Sequence, residues 1–269
     1  MDSFLNDLEA GARSLARQPG PAVLSALILA LGIGLSTFMF SLVYGVLFRG
    51  LDIPEADRVA VVSRLDLRQG EEDDDPMPAL DFVDFRERAR SFEGLLGYRT
   101  GTVNLADEDA PERYSGVWVT ANAFAVLRVQ PMLGRTFVEG EDLPGSPPTV
   151  ILGYHVWRDR YASDREVLGR SVRVNGRQGT VVGVMPEGFK WPSNHDLWVT
   201  IDDDPRAVAR GEGPYYWMMG RLAPGVTWDQ AGLEVARIAD QLATEHPDEN
   251  EGLSARVITV SQQQNGGPI

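Results

Sequence analysis

The sequence predicts an α+β fold that follows one N-terminal transmembrane helix. Three observations predict it: an uncharged apolar run over residues 22–48, two segments that each contain a strand, a helix and a strand, and a strand-rich stretch between them. The flanking segments occupy residues 50–134 and 206–262, and the strand-rich stretch occupies residues 135–205. One mixed sheet built from both flanking segments, with helices layered on it, would bury the apolar faces of these elements.

The apolar run is long enough to cross a membrane. As a helix, residues 22–48 would extend about 40 Å, and the hydrocarbon core of a bilayer is about 30 Å thick. A cleaved signal peptide has an apolar region of about 7–15 residues before a cleavage site of small residues, whereas this run ends in Leu47-Phe48-Arg49. We therefore predict an uncleaved transmembrane helix over residues 21–49, with the lipid bilayer as a partner.

Small residues follow one face of this predicted helix, at steps of three or four: Ala22, Ala26, Ala30, Gly34, Thr37, Ser41 and Gly45. Such a stripe lets helix backbones approach closely in lipid, although alanine and glycine are also common in membrane helices that do not pair. Residues 1–20 fit either a cytoplasmic interfacial helix or an unstructured terminus. Arg13 and Arg17 slightly favour a cytoplasmic N-terminus, with the main domain outside the cytoplasm.

Composition excludes several classes of function. The chain has 25 Lys and Arg against 39 Asp and Glu, a net charge of −14, so its surface should repel nucleic acid. It has no cysteine, which removes disulfides, thiolate metal sites and cysteine nucleophiles. With 43% hydrophobic residues it can bury a proper core. We expect a folded domain that has no nucleic-acid partner.

Alternating or continuous apolar patterns predict the strands. They lie at 58–63, 113–120, 149–153, 196–201, 215–222 and 254–260, and residues 169–186 form two further runs around Asn175-Gly176. An Asn-Gly pair supplies the two positive φ angles that a type I′ turn requires. The sequence therefore predicts a β-hairpin with its turn at Asn175-Gly176.

Apolar residues at steps of three and four predict the helices. The sequence DFVDFRERARSFEGLLGYR, residues 81–99, has Asp81 as a potential N-cap and an apolar stripe of Phe82, Phe85, Ala89, Phe92 and Leu96. Short helices are predicted within 121–131 and around Tyr154, Trp157 and Tyr161. A longer helix begins with a Thr227–Gln230 capping box and ends before Pro247, and its apolar face is Trp228, Ala231, Val235, Ile238 and Leu242.

The sequence carries no recognisable catalytic or metal-binding motif. It has no phosphate-binding loop, and Lys190 is its only lysine, so it should not hydrolyse ATP by itself. The histidines, His155, His195 and His246, do not form an H-E-x-x-H pair, and no G-x-S-x-G elbow is present. His246 precedes Pro247 at a helix end, where a capping or dipole role is expected. We predict no catalytic, cofactor-binding or metal-ligating residue, and no enzyme activity.

Two other features have both a functional and a structural interpretation. The acidic runs Glu71–Asp75 and Asp202–Asp204 could attract cations, but they lack the alternating ligands and central glycine of an EF-hand loop, so we interpret them as solvated loops. The aromatic and methionine residues at 215–219 either line a groove for an apolar ligand or alternate between core and surface along a strand.

Six sequence blocks together resemble a known family. LARQPGPAVLSALILALGIGLSTFMFSLVYGVLFRGLDIPEADRVAVV is similar to the N-terminal membrane segment of MacB/FtsX-type ABC transporter permeases, in particular to the duplicated orphan permeases of acidobacteria. The blocks similar to their MacB-like periplasmic core domain are DFVDFRERARSFEGLLGYR, VTANAFAVLRVQPMLGRTF, VILGYHVWRDRY, VLGRSVRVNGRQGTVVGVMPEGFKWP and GRLAPGVTWDQAGLEVARIADQLATEHP.

The resemblance implies a permease subunit of an ABC-type exporter or mechanotransmission complex in the bacterial inner membrane. It implies a periplasmic core domain over residues 50–262, porter-like over 50–134 and 206–262 with 135–205 inserted, and then a polar tail over 263–269. Implied partners are a second copy or pseudo-dimer partner, a separate cytoplasmic ABC ATPase and, as a candidate, a periplasmic adaptor. No cofactor is implied.

The family has three further membrane helices after this domain, so we expect this chain to be a truncated, split or partial permease. The alternative hypothesis is a membrane-anchored periplasmic binding or scaffold protein that needs no ATPase. An anchored hydrolase is a third and weaker hypothesis.

Overall fold

The computed structural model describes residues 20, 27–34, 53–68, 75–107 and 111–259. The chain divides into two compact units, Met1–Arg49 and Gly50–Ile269, and we call the second the main unit. In the first unit, residues 27–34 are helical and exposed. No helix within the described ranges is long and apolar enough to cross a membrane. The interfacial helix predicted before residue 20, most of the predicted transmembrane segment and the tail 263–269 lie outside the described residues.

The main unit is built on one mixed sheet of eleven strands. They are β1 Val59–Asp66, β2 Met77–Pro78, β3 Phe92–Ala106, β4 Glu112–Val119, β5 Leu133–Gly134, β6 Thr149–Leu152, β7 Ser171–Val174, β8 Arg177–Val184, β9 Leu197–Thr200, β10 Tyr215–Leu222 and β11 Leu253–Thr259. The main path runs β11-β1-β10-β3-β4-β9-β6-β8-β5. With the helices packed on this sheet, the predicted α+β class is confirmed.

Six strands close into a small barrel. Neighbours pair in the order β3-β4-β9-β6-β8-β7, and β7 returns to β3 where Leu105 pairs with Val174 and Ala106 with Arg173. The barrel interior is filled by Val103, Leu105, Val150, Leu152, Val172, Val181, Leu197 and Val199, all buried. Strands from the predicted insert, 135–205, thus share a barrel with β3 and β4, and the division of residues 50–262 into two subdomains stays a prediction.

The helices of the main unit are α1 Ala79–Arg88, α2 Ala123–Leu127, α3 Tyr154–Arg160, α4 Trp228–Glu245 and α5 Pro247–Asn250. The predicted capping box at the start of α4 is confirmed, because the Thr227 side chain accepts from the Gln230 N–H and the Gln230 side chain accepts from the Thr227 N–H. Its predicted apolar face is buried at Ala231, Val235, Ile238 and Leu242. α1 and α4 therefore pack on one face of the sheet through one hydrophobic cluster, and α2 packs through a second cluster.

The helix predicted over residues 81–99 is wrong in its second half. α1 ends at Arg88, and Phe92 and Leu96 lie in β3 instead. A Cβ added at Gly97 would lie 2.9 Å from the Phe82 ring, so this glycine lets the strand lie directly against α1. Asp81 is also not an N-cap, since Pro78 holds that position and Asp81 is buried inside the first turn.

The predicted hairpin is confirmed. Asn175 and Gly176 have φ angles of 50° and 86° and join β7 to β8, as a type I′ turn requires. The Asn175 N–H donates to the Asn104 carbonyl over 2.9 Å, and the Asn175 side-chain oxygen accepts from the Asn104 N–H over 2.9 Å. The hairpin tip is therefore fastened to β3.

Candidate functional site

A single charged residue lies in the otherwise uncharged strand β10, YYWMMGRL. Arg221 is fully buried, on the same face of the strand as buried Met219. A buried charge is costly unless its donors are satisfied, so the partners of this guanidinium indicate its role.

The Arg221 guanidinium donates to four backbone carbonyls from two separate segments. Nε donates to the Val126 oxygen over 2.6 Å, and Nη2 donates to the Leu127 oxygen over 3.3 Å. Nη2 also donates to the Pro54 oxygen over 2.9 Å, and Nη1 donates to the Glu55 oxygen over 3.3 Å. One side chain therefore fastens both the end of α2 and the segment at 54–55 to the sheet.

Local backbone geometry presents these carbonyls to Arg221. The last carbonyls of a helix have no partner within the helix, and they carry the negative end of its dipole. The C-cap residue of α2, Arg128, has a left-handed φ of 57°. Glu55, with a φ of 52°, precedes a short 3₁₀ helix at Ala56–Arg58. Both turns leave acceptors for which a buried cation is a suitable partner.

Ion pairs surround this buried contact. Arg128 lies 2.7 Å from Glu55 and 3.1 Å from Glu93, and Arg58 lies 3.0 Å from Glu93 and 3.3 Å from Glu55. These pairs are partly exposed, and exposed pairs contribute little individually. Arg58 Nη2 also donates to the Leu222 carbonyl, so a second hydrogen bond attaches this segment to β10. We call Arg221, its four carbonyl partners and these ion-paired residues the linker anchor.

Opposing effects act on the pKa of Arg221. Burial lowers the pKa of Arg221, and repulsion from Arg128 lowers this pKa further, while Glu55 and Glu93 oppose the change. Since an arginine stays protonated in proteins, Arg221 remains a cation and keeps all its donors. We call residues 54–58, which come shortly after the apolar run 22–48 in the sequence, the linker. The linker anchor joins this segment to β10 and to the end of α2.

Arg221 was not predicted from the sequence as a functional residue. The signal was present, because the alternation in β10 puts Arg221 on the face of Met219, which is a core position. A charged residue at a core position of a predicted strand indicates a specific buried partner.

His155 and His195 lie near serine and aspartate side chains but do not form a catalytic relay. His155 Nε2 lies 2.8 Å from Asp196 Oδ1, whereas His195 lies 2.8 Å from Ser115 Oγ and 3.1 Å from Ser193 Oγ. A serine–histidine–acid relay needs one imidazole between the hydroxyl and the carboxylate. Here His155 contacts the carboxylate, and a different imidazole, that of His195, contacts the hydroxyls. In the part of the chain that the structure describes, no cluster of three or more His, Asp or Glu side chains could hold a metal ion.

Stability should depend on the protonation of His195. Burial lowers the pKa of His195, and Asp196 opposes this only in part. A lowered pKa in the folded state means that the unfolded state binds the proton more readily, so the contribution to stability is complete above about pH 6.5 and is lost as the pH falls. We expect the unfolding midpoint of the wild type to fall more between pH 7 and pH 5 than that of His195→Asn. Equal slopes for the two proteins would contradict this prediction.

Residues of the two acidic runs form ion pairs and hydrogen bonds within the main unit. Asp203 accepts from Arg99 and from the Tyr216 hydroxyl, and Asp202 pairs with Arg177. Asp75 pairs with Arg64 over 3.1 Å, while residues 71–74 lie outside the described ranges.

Residues 215–219 alternate as a strand. Tyr216, Met218 and Met219 are buried, and Tyr215 is 38% exposed. His246 occupies the C-cap of α4, the helix end at which its role was predicted, and its N–H donates to the Leu242 carbonyl over 2.8 Å.

A family model described as the MacB-like periplasmic core domain matches residues 22–238. The chain belongs to this family. The predicted resemblance to MacB/FtsX-type permeases is thus confirmed, and the MacB-like periplasmic core domain supports a permease-subunit role in general. A comparison with curated proteins finds no match.

Three solved structures share the fold of this MacB-like domain. A domain of a protein described as a permease, from Porphyromonas gingivalis, has a TM-score of 0.58 at 16% identity and covers 77% of this chain and 93% of its own. The extracellular domain of the noncanonic ABC-type transporter YknZ from Gram-positive bacteria has a TM-score of 0.54 at 14% identity, covering 73% and 98%. The periplasmic region of MacB from Actinobacillus actinomycetemcomitans has a TM-score of 0.54 at 12% identity, covering 78% and 92%.

Proposed function

We propose that this chain acts as a permease subunit of an ABC-type exporter or mechanotransmission complex in the bacterial inner membrane. Its main unit lies in the periplasm and contacts partner subunits or substrate, and a separate cytoplasmic ATPase supplies the energy. The family match carries this proposal, because it begins at residue 22 and so includes both the apolar run and the domain.

The linker anchor gives the proposed function a mechanical basis. Hydrogen bonds from a charged donor contribute about 1.5–3 kcal/mol each, more than those between neutral groups. Arg221 makes four of them and lies in β10, which pairs with β1 on one side and β3 on the other. A force on residues 54–58 therefore reaches an interior strand of the sheet through short, specific contacts rather than through a flexible tether.

The proposed complex contains further chains. In this family, permeases with such a domain pair with a second copy or a related subunit, and a periplasmic adaptor is a candidate contact for the main unit. The small-residue stripe in the apolar run is compatible with packing against neighbouring helices.

The competing function is that of a membrane-anchored binding or scaffold protein. It requires only that residues 22–48 hold the main unit at the membrane, so any apolar helix of similar length would serve. The family match favours the permease, because it covers the apolar run together with most of the main unit.

Association with an ATPase tests the proposal. We would express the tagged full chain in its own host, purify it in detergent, and measure ATP hydrolysis with and without vanadate. Because the sequence has no phosphate-binding loop, any hydrolysis must come from a partner. We expect vanadate-sensitive hydrolysis to accompany the wild type, and to be lost when residues 22–48 are replaced by polyleucine.

The polyleucine variant is the matched control because its main unit is unchanged. The permease proposal would be overturned if the wild type carried no more ATP hydrolysis than a purification from an untagged strain. It would also be overturned if the polyleucine variant retained the same hydrolysis as the wild type, since a specific packed helix would then not be needed.

A further inference from the structure

The six-stranded barrel is open at one end. A cavity of about 360 Å³ lies there, lined by residues that face the barrel interior: Arg99, Gly101, Trp118, Val174, Arg177 and Val199. Its floor is aromatic and aliphatic. Two guanidinium groups lie at its rim, and that of Arg177 is paired with Asp202, which also lines the cavity. The mouth of a barrel is a common place for a ligand site because polar rim groups and an apolar floor meet there.

One wall of this cavity is a strand edge without a neighbouring strand. β3 pairs with β10 up to Tyr98, and with β7 only from Leu105 onward. Between these points β3 pairs with β4 on its other side alone, among the strands that the structure describes. Barrel closure is therefore incomplete over the stretch that lines the cavity.

The backbone groups on this free edge can be assigned from the neighbouring contacts. Gly97 exchanges hydrogen bonds with Thr120 beyond the end of β4, so alternate residues from Gly97 direct their backbone groups toward β4. The backbone groups of Thr100, Thr102 and Asn104 consequently face the opening. Asn104 is already bonded to Asn175, but Thr100 and Thr102 are exposed and have no hydrogen-bond partner there within the described ranges.

Arg99 adds a charged donor at the rim. Its guanidinium lies 4.4 Å from the centroid of the Trp118 ring, and its Nε donates to Asp203 over 3.1 Å. Its two terminal nitrogens donate to no group in the part of the chain that the structure describes. A guanidinium fixed in this way can bind a carboxylate with both terminal nitrogens.

We propose that the barrel mouth binds an extended peptide of a partner protein, which adds as a strand to the free edge of β3 at Thr100 and Thr102. An aspartate or glutamate side chain of that peptide pairs with Arg99 beside Trp118. An extended peptide is the ligand class that offers alternating N–H and C=O groups to such an edge. The carboxylate follows from charge complementarity with the terminal nitrogens of Arg99. The proposal goes beyond the permease function and does not depend on the linker anchor.

Selection from a phage-displayed library of random hexapeptides against the purified full chain tests this proposal. Displayed peptides have no free C-terminus, so a selected carboxylate must be a side chain. We expect the selected peptides to be enriched in aspartate and glutamate, and synthetic copies to bind with measurable affinity by calorimetry. If no peptide binds more tightly than about 1 mM, the proposal is overturned.

Variants of the chain then locate the bound peptide. Arg99→Gln should weaken the binding of the selected peptides by about tenfold or more. Thr102→Pro, which removes the backbone N–H that faces the opening, should weaken it to a similar extent. Arg173→Gln is the matched control, because Arg173 lies on the same barrel but is exposed on its outer side. Unchanged thermal unfolding of Arg99→Gln would show that the loss of binding is local.

Two results would overturn the strand-addition site. In the first, the selected peptides bind Arg99→Gln and Thr102→Pro as tightly as they bind the wild type. In the second, sedimentation shows that the wild type self-associates and that Arg99→Gln abolishes the association, in which case the occupant is a second copy of this chain.

Discussion

Replacing Arg221 with methionine should lower the free energy of unfolding of the main unit by about 3–5 kcal/mol, because each buried carbonyl left without a donor costs about 1–3 kcal/mol. Methionine fills a similar volume but donates no hydrogen bond, so the carbonyls of Pro54, Glu55, Val126 and Leu127 lose their shared donor. Denaturant unfolding of the full chain in detergent, followed by tryptophan fluorescence, measures this change. All 6 tryptophans lie between residues 118 and 228, so the signal reports on the main unit.

Arg128→Gln is the matched control for this measurement. Arg128 belongs to the same anchor, but its side chain is 38% exposed, and its ion-pair partners Glu55 and Glu93 are partly exposed too. We expect this substitution to cost less than about 1 kcal/mol. If Arg221→Met were as stable as Arg128→Gln, the buried hydrogen bonds would not be what holds the linker.

Replacing Asp81 with alanine should cost about 1.5–3 kcal/mol, because Asp81 makes charge-assisted hydrogen bonds in a buried place. Its carboxylate pairs with Arg210 and accepts from Asn250 Nδ2 over 3.3 Å, so it joins α1 to the loop before β10 and to α5. Arg210 keeps its ion pair with Asp84, at 2.7 Å, and this limits the loss of stability. The same fluorescence-monitored unfolding measures it.

Asp240→Ala provides the comparison for Asp81→Ala. Asp240 is an exposed acid on α4, and substitutions at such positions usually change stability by less than about 0.5 kcal/mol. Equal effects of the two substitutions would mean that Asp81 contributes no more than a surface charge does.

Local patterns predicted most of the elements, because their signals lie within a few residues. The Thr227 capping box, the Asn175-Gly176 turn and the apolar face of α4 each depend on one short stretch, and all three are present. The start of β3 was wrongly predicted to be helical for the same reason. Phe92 and Leu96 continue the helical spacing of Phe82. Only the close packing of Gly97 against the Phe82 ring shows that the chain reverses direction after α1 and returns along it as a strand.

The sites depend on contacts between distant residues, so the sequence did not predict them. Arg221 contacts Pro54, and the barrel closes where Leu105 meets Val174; neither pairing has a local signal. Asp81 has the residue type of an N-cap, but Arg210 and Asn250 determine its role. Core positions could be predicted from alternation, whereas the partner of a buried charge could not.

The claim that Arg221 holds the linker rigidly to the sheet can be tested by a distance measurement. The chain has no cysteine, so Asp57→Cys and Leu233→Cys introduce the only sites for spin labels, on the linker and on the exposed side of α4. The pair Val138→Cys and Leu233→Cys is the control, because it does not include the linker. By pulsed EPR on the full chain, Arg221→Met should broaden the 57–233 distance distribution and leave the 138–233 distribution unchanged. A 57–233 distribution that stays equally narrow in Arg221→Met would contradict the account.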